Sequence, residues 1–339
     1  MATKRQHLVW RKYLSSWTTT PNITNGKTVC YFKQQDNIVQ YINIENVAVQ
    51  SYAYDISMIN DEDKKVVSLY FDKWIRRQTT LNIRSKITNS DDIFEKDYIE
   101  NNFICPIEEN GIEILDKLSK EKFPFDGPTI LEDCAELLRC CLLNSLLSND
   151  QLFSEEDIKQ LCYSAISQYN GEDARYVFYE FIAVQMLRTW RSRDSILNSI
   201  KETIERFESS CLQNTTEAMF PLMMVVNAQI LATAFCKNNF YIELLKNETN
   251  QDFITGDFPI INLYAEYDKI NESLDKMELY YPINPRVAII CKNSIYKNTT
   301  TSVKDEAKVD EYNRKIIASA IKQVYAIKES DIKKYILPS

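Results

Sequence analysis

The sequence predicts an α+β fold in which a central helical bundle packs with a mixed or antiparallel sheet built from an N-terminal hairpin and C-terminal strands. Two patterns predict it: apolar residues recur at helical spacing through most of the middle of the chain, and apolar and polar residues alternate near both ends. The 339 residues, 45% of them hydrophobic and 12% aromatic, suffice for a packed core. Because no internal repeat or low-complexity linker is visible, we predict one intertwined domain over residues 1–339.

Residues 1–60 are predicted to form an N-terminal segment and a hairpin. His7–Trp17 carries apolar side chains at helical intervals, which predicts a short helix or turn. Thr28–Lys33 and Ile38–Ile44 alternate with period two on either side of a polar turn. That pattern predicts a β-hairpin.

Residues 61–237 are predicted to be helical. The first helix begins near Asp61 and runs to about Lys86, and a charged connector with a helix at Glu109–Lys120 follows it. Short loops then join further amphipathic segments, as in a helical bundle. These segments are Ile130–Leu147, Ser154–Tyr169, Glu172–Arg191, Ile196–Phe207 and Glu217–Lys237.

Residues 238–303 are predicted to form strands, and residues 304–339 to end the chain with a helix. The short strands alternate with turn residues. They are Tyr241–Leu245, Phe253–Thr255, Pro259–Leu263, Met277–Tyr281 and Val287–Cys291. The last helix is expected from about Lys304 to Ala326, and the N-terminal hairpin is expected to share a sheet with the C-terminal strands.

One histidine, His7, limits the chemistry of the whole chain. It excludes sites that need two imidazoles, including the His-x-x-x-His metalloproteases and the two-histidine iron sites. The five glycines are too far apart for a phosphate-cradling loop, and acidic doublets such as Asp91-Asp92 fit solvated helix caps better than magnesium ligands. We therefore expect no metal and no cofactor.

Composition indicates a cytoplasmic protein with no membrane partner. The nine cysteines are odd in number and scattered, as is typical of reduced, buried thiols. The N-terminus has no apolar leader, and charged or polar residues interrupt the longest apolar stretches, Met219–Phe235 and Ile130–Leu147. The net charge of -8 argues against non-specific coating of nucleic acid, although it is compatible with a local basic site.

Three of the four tryptophans stand beside basic residues. The clusters are Trp10-Arg11-Lys12, Trp74–Arg77 and Arg188–Arg193. If they meet, they would form an electropositive aromatic pocket for a phosphate and a base. The alternative is that the tryptophans fill the edge of the core while the arginines extend to solvent.

The helix at Glu172–Arg191 places Gln185 and Arg188 on one face with Phe178 and Phe181. A buried arginine needs an anionic partner, which is either a carboxylate of the protein or the anion of a ligand. Asp257, in a Gly-Asp-x-Pro turn after a predicted strand, is a candidate carboxylate. Its alternative role is an Asx turn, in which it bonds its own backbone.

His7 also has two interpretations. It could simply hydrogen-bond to a neighbouring helix. Alternatively, with Asp257 orienting it and Arg188 holding an anion, it could act as the general acid or base of a metal-independent phosphodiester cleavage. A serine or cysteine triad is less attractive, because the sequence contains no Gly-x-Ser-x-Gly elbow.

Several short motifs, taken in order, resemble those of a widespread microbial family of unknown function. They are Gln6-His7, Gln185-x-x-Arg188-Thr189, Asp257-x-Pro259, Pro282-x-x-Pro285 and a late helix with Asn313. Val9 is followed by Trp10 where the family usually has proline. The resemblance implies one recurring domain. The residues that its motifs share with this family are mostly polar, as is expected of a common site, and the resemblance implies no established activity.

Two functions follow from these observations. The first is a metal-independent nuclease or phosphodiesterase-like hydrolase, in a toxin-like or phage-defence role, with His7, Arg188 and Asp257 as catalytic residues and nucleic acid or a nucleotide as partner. Its candidate substrate contacts are Gln6, Gln185, Thr189 and Asn284. The alternative is a non-enzymatic binding or adaptor module, in which the same residues form a buried structural network; a protein partner or a homo-oligomer fits this alternative.

Overall fold

The computed structural model describes most of the chain outside its middle. The described residues are 5–19, 27–33, 37–51, 60–70, 90–95, 97–125, 174–205, 213–238, 240–267, 276–293 and 298–336. The predicted helices Ile130–Leu147 and Ser154–Tyr169, and the tryptophan cluster Trp74–Arg77, lie outside these residues.

The helices follow the predicted order, apart from a short helix near the C-terminus that was not predicted. They are α1 Arg11–Leu14, α2 Asp61–Tyr70, α3 Cys105–Ser119, α4 Ala174–Leu187, α5 Trp190–Glu205, α6 Gln213–Lys237, α7 Glu306–Ser319 and α8 Glu329–Ile336. Helices α3 to α6 confirm predictions with boundaries that differ by a few residues. Helix α1 continues as a 3₁₀ turn at Ser15–Trp17, in agreement with the short helix predicted there.

The strands of the described residues form two five-stranded sheets and one two-stranded pair. The strands of the first sheet are β6 Phe240–Asn247, β8 Ile261–Asn262, β9 Glu278–Asn284, β10 Val287–Asn293 and β11 Thr299–Val303. Their order in the sheet is β11-β6-β10-β9-β8, and all neighbours are antiparallel except the parallel β11–β6 pair. It is therefore a mixed sheet.

The second sheet joins the two ends of the chain. Its strands are β2 Thr18–Thr19, β3 Thr28–Lys33, β4 Ile38–Asn43, β7 Thr255–Gly256 and β12 Gln323–Ala326. Strands β3 and β4 form the predicted hairpin, and β3 also pairs antiparallel with β12. The remaining pair is β1 Arg5–His7 with β5 Val49–Ser51. The N-terminal hairpin thus shares a sheet with C-terminal strands, and the predicted α+β class is confirmed.

The predicted last helix, Lys304–Ala326, is wrong beyond Ser319. Helix α7 ends there because Ala320 adopts an extended backbone, with φ -65° and ψ 141°. The next residues donate their N–H groups to the carboxylate of Asp257. The chain then enters β12, where Val324, Tyr325 and Ala326 are buried.

The main core lies where α4 packs between α3, α6 and the first sheet. Gly111 of α3 permits this packing, because a Cβ built on it would lie 2.4 Å from a ring carbon of Phe181 on α4. Part of α6, Met219–Lys237, is long and apolar enough to cross a membrane by length and composition alone. Because 78% of its apolar window is buried inside the protein, its apolar character is explained by the core.

Candidate functional site

Arg188 is the centre of the candidate site. Its backbone N–H donates to the carbonyl of Val184 at 3.0 Å, so it continues the last turn of α4, and it is 3% exposed. Its guanidinium donates to the carboxylate of Glu108 on α3 and to the backbone carbonyl of His7 on β1. Of the two partners expected for this arginine, the structure supplies the carboxylate of the protein.

His7 meets Arg188 through its backbone, and its imidazole points to another partner. The imidazole Nδ1 lies 3.2 Å from the carbonyl oxygen of Val47. A carbonyl can only accept, so Nδ1 carries the proton in this contact. In the neutral ring, Nε2 then carries the lone pair, so Nε2 is the nitrogen that can act as a base.

Asp257 follows β7 and is 2% exposed. Its carboxylate accepts hydrogen bonds from the backbone N–H groups of Ile321, Lys322 and Gln323, at 2.9, 2.6 and 2.9 Å. Burial raises the pKa of Asp257, while these three bonds oppose the rise. The carboxylate thus holds the turn between α7 and β12, an arrangement that neither of its two predicted roles describes.

A chain of hydrogen bonds connects the turn held by Asp257 with the segment that follows His7. The side-chain oxygen of Gln323 accepts from the backbone N–H of Ala48 at 3.2 Å. The carbonyl of Ala48 accepts in turn from the N–H of Leu8 at 2.7 Å. His7 and Asp257 are therefore linked through Leu8, Ala48 and Gln323.

Aromatic residues enclose the site on the side of the first sheet. The hydroxyl of Tyr13 donates to the carbonyl of Pro282 at 2.7 Å and lies 2.6 Å from the hydroxyl of Thr255. The ring of Tyr13 stacks on that of Tyr281, with centroids 4.9 Å apart. Burial raises the pKa of Tyr281, and the positive charge of Arg188 opposes this rise, so the two side chains share one buried environment.

The other predicted site residues are divided between this region and local turns. Gln185 is 2% exposed and lies one helical turn before Arg188. Thr189 is buried and bonds the carbonyl of Met186 at 3.0 Å, within the α4–α5 junction. Asn284 accepts from the N–H groups of Arg286 and Val287 in the β9–β10 turn. Gln6 lies on β1, opposite Gln50.

The amide nitrogen of Gln185 and the hydroxyl of Tyr281 are both buried, and neither has a hydrogen-bond partner among the described residues. Tyr281 was not a predicted site residue, although it stands next to the Pro-x-x-Pro motif. The available signal was its place in the predicted strand Met277–Tyr281, in a run of residues that are all buried from Leu279 to Ile283.

Glu108, the partner of Arg188, is a second residue of the candidate site that the sequence did not predict. The predicted helix began at Glu109, whereas α3 begins at Cys105. With the correct start, Glu108 lies on the same helical stripe as Gly111 and Leu115, both of which are buried. An acidic residue on a buried stripe was the signal that could have identified it as the partner of Arg188.

Asn313 on α7 organises a second buried network. It is fully buried, its side-chain nitrogen donates to the carbonyl of Asp252 at 2.9 Å, and its oxygen accepts from the N–H of Ile254 at 3.0 Å. Asp310 lies one helical turn before Asn313. Burial raises the pKa of this carboxyl group, but hydrogen bonds from Lys334 and Arg314 outweigh burial and lower the pKa to about 2. These contacts fix the segment that leads from β6 to Asp257.

The two described tryptophan clusters have different surroundings. In the Arg188–Arg193 cluster, the guanidinium of Arg191 lies 5.2 Å from the ring centroid of Tyr267, and that of Arg193 lies 4.9 Å from the centroid of Phe220. These arginines therefore pack on aromatic rings of the protein. The cluster Trp10-Arg11-Lys12 instead lines an open groove of about 500 Å³.

Comparison with known proteins gives a family and no activity. Residues 155–330, just over half of the chain, match a family model described as a protein of unknown function (DUF4238). The match includes Arg188 and Asp257, and it begins after His7 and Glu108. No curated protein and no solved structure matches the chain. The chain belongs to the DUF4238 family of proteins of unknown function.

Proposed function

We propose that the chain is a non-enzymatic binding or adaptor module in which the network around Arg188 holds the N-terminal segment against the helices. One observation carries this proposal: the guanidinium of Arg188 is bonded to Glu108 and to the backbone of His7, both within the protein. The network thereby ties α3, α4 and β1 together.

Charge balance supports a structural role for Arg188. A phosphate bound at this guanidinium would lie beside the carboxylate of Glu108, whose side chain is only 21% exposed. Two anions in a buried environment repel each other strongly. The three N–H donors around Asp257 support the same conclusion, because they occupy three of the roughly four acceptor sites of that carboxylate with backbone groups of the protein.

Hydrogen exchange of an Arg188→Met variant tests the proposal. Without the guanidinium, we expect the amide of Leu8 and the β1–β5 pair to exchange roughly tenfold faster or more, because their local opening becomes easier. Amides of α7 and β10 should keep their protection. Arg286→Met is a matched control, since Arg286 also bonds a carboxylate and a backbone carbonyl but is half-exposed. Unchanged exchange at Leu8 in Arg188→Met contradicts the proposal.

A metal-independent nuclease or phosphodiesterase-like hydrolase, in a toxin-like or phage-defence role, is the second candidate. The contact between Nδ1 of His7 and the carbonyl of Val47 favours it, because it directs the basic lone pair to Nε2. The test is cleavage of single-stranded RNA, single-stranded DNA and bis(p-nitrophenyl) phosphate in the presence of EDTA. Cleavage that His7→Ala abolishes supports this candidate, whereas absence of cleavage by the wild-type protein removes it.

A cytosolic location and reduced thiols are part of the proposal. Four cysteines in the described part of the chain are free, namely Cys30, Cys105, Cys236 and Cys291. A thiol titration of freshly purified, unfolded protein without reductant should find all nine thiols. A lower count would indicate disulfides and an oxidising compartment.

A further inference from the structure

An open groove lies beside α1, away from the buried centre. The groove has a volume of about 500 Å³ and is bounded by α1, by the residue before β3 and by the turn after β4. Two buried apolar side chains, Trp10 and Ile44, form part of its wall. Its volume is within the range of roughly 300–1,000 Å³ that small-molecule sites occupy.

The charged residues of this groove are mostly cations. Arg11, Lys12 and Lys27 line it, all three are exposed, and Glu45 is the acid among its lining residues. Arg11 and Glu45 approach to 3.8 Å, but both side chains are more than half exposed, so this ion pair is weak and screened by water. The groove therefore concentrates positive charge on a protein whose net charge is -8.

The walls of the groove are fixed before any ligand arrives. The ring of Trp10 packs edge-on against Phe181 of α4, with centroids 5.7 Å apart. The backbone N–H of Ile44 donates to the carbonyl of Lys27 at 3.1 Å, which sets the separation of the two strands there. A site with a fixed backbone loses less entropy on binding, while the exposed cationic side chains remain able to adjust to a ligand.

We propose that this groove binds a small organic phosphate with at least two negative charges and at most the size of a nucleotide. The inference rests on the proposed binding function. Arginine and lysine are the side chains that bind phosphate oxygens through charge-assisted hydrogen bonds. Three of them on two separate segments can contact more than one phosphate oxygen, and Trp10 and Ile44 offer apolar contact to the organic part.

The test is calorimetric titration with ATP, inorganic pyrophosphate and adenosine at low ionic strength. We expect ATP and pyrophosphate to bind and adenosine not to bind, because the negative charge supplies the attraction. In the variant Lys12→Glu/Lys27→Glu the affinity for ATP should fall roughly tenfold or more, since repulsion replaces two charge-assisted contacts. The matched control is Lys120→Glu/Lys304→Glu, which makes the same charge change at exposed lysines outside the groove.

A second variant tests the groove without loss of a cation. Glu45→Gln releases Arg11 and removes the acid from the lining, so it should increase the affinity for ATP by about two- to fivefold, the range of an exposed ion pair. This gain of binding cannot result from misfolding.

Three results would overturn the inference: no binding of ATP or pyrophosphate to the wild-type protein at millimolar concentration, equal affinity in the groove variant, or an equal loss in the control variant. None of them would affect hydrogen exchange in Arg188→Met. The binding module and the ligand of its groove are therefore tested separately.

Discussion

Removal of the Arg188 guanidinium should destabilise the protein by an amount that can be worked from the structure. Arg188 is 3% exposed and the side chain of Glu108 is 21% exposed. Loss of one partner of a buried ion pair costs about 3–5 kcal/mol. Because water can partly hydrate Glu108, we expect Arg188→Met to lower the free energy of unfolding by about 3 kcal/mol, at the low end of that range.

The expected change of melting temperature is small because the chain is long. An unfolding entropy of about 2.1 cal/mol/K per residue gives roughly 0.7 kcal/mol/K for 339 residues. A loss of about 3 kcal/mol then lowers Tm by only about 4 °C. Urea unfolding, followed by the fluorescence of the four tryptophans, is therefore the better primary measurement, and calorimetry supports it.

A double-mutant cycle separates the ion pair from other effects of the substitution. Glu108→Gln alone should also be destabilising, whereas Arg188→Met/Glu108→Gln should lose clearly less than the sum of the single variants, because neither charge then remains buried alone. A single-variant loss below about 0.5 kcal/mol, or losses that add within about 0.5 kcal/mol, would refute the reasoning.

Three further predictions concern packing and carboxylates. Gly111→Ala should lower stability by about 1–3 kcal/mol despite the better helix propensity of alanine, because the new methyl group would lie 2.4 Å from the ring of Phe181. Calorimetry should show that the second substitution Phe181→Leu recovers part of this loss. A further loss in the double variant would argue against a steric cause. Asp257→Asn replaces one acceptor of backbone N–H groups by a donor, so urea unfolding should show that the free energy of unfolding falls by about 2 kcal/mol. A variant as stable as the wild type would mean that these hydrogen bonds contribute little. The pKa of Asp310 is lowered to about 2, so its contribution to stability is present above the unfolded pKa near 4 and is lost as pH falls through the folded pKa. Asp310→Asn should therefore be less stable than the wild type at pH 7, and the difference should shrink steadily as pH falls from about 4 to about 2. A difference that stays constant over this range would contradict the assignment.

The raised pKa of Asp257 has the opposite consequence for pH dependence. Because burial raises it, the native state binds this proton more tightly than the unfolded chain does. The resulting contribution to stability is complete below the unfolded pKa near 4 and is lost as pH rises through the folded pKa. In Asp257→Asn this part of the pH profile should be absent, and comparison of unfolding curves from pH 3 to pH 7 measures it.

The apolar and polar pattern of short sequence stretches correctly predicted those elements whose packing partners are also close in the sequence. The hairpin of β3 and β4 was visible because alternation and a polar turn occur within one short stretch. Residues 323–326 were wrongly given to a helix, because Val324-Tyr325-Ala326 is an apolar run that suits either state. What decides their conformation is pairing with β3 and the capture of the preceding N–H groups by Asp257, and both contacts span far more sequence than a local pattern does.

The candidate site was predictable to a similar degree. Helical periodicity identified Arg188 as a buried cation that requires an anionic partner, and it has one. It did not identify Glu108, because the boundary of a helix is its least certain property and the predicted start excluded that residue. Asp257 was selected from its turn, yet its contacts depend on the end of a helix that the prediction had extended too far.

The pairing of β3 with β12 also dictates when the protein can complete its fold. During synthesis, β3 leaves the ribosome long before β12 does, and at roughly 5–20 residues per second the wait is about 15–60 s. Throughout this time β3 can pair with β4, but the buried residues Cys30, Tyr31 and Phe32 lack the neighbours that β12 supplies. The N-terminal hairpin thus spends synthesis as an incomplete sheet with an open strand edge, which is the kind of surface that holding chaperones bind. A stop codon before residue 323 would remove only the last part of the chain and yet leave the sheet at its beginning unfinished.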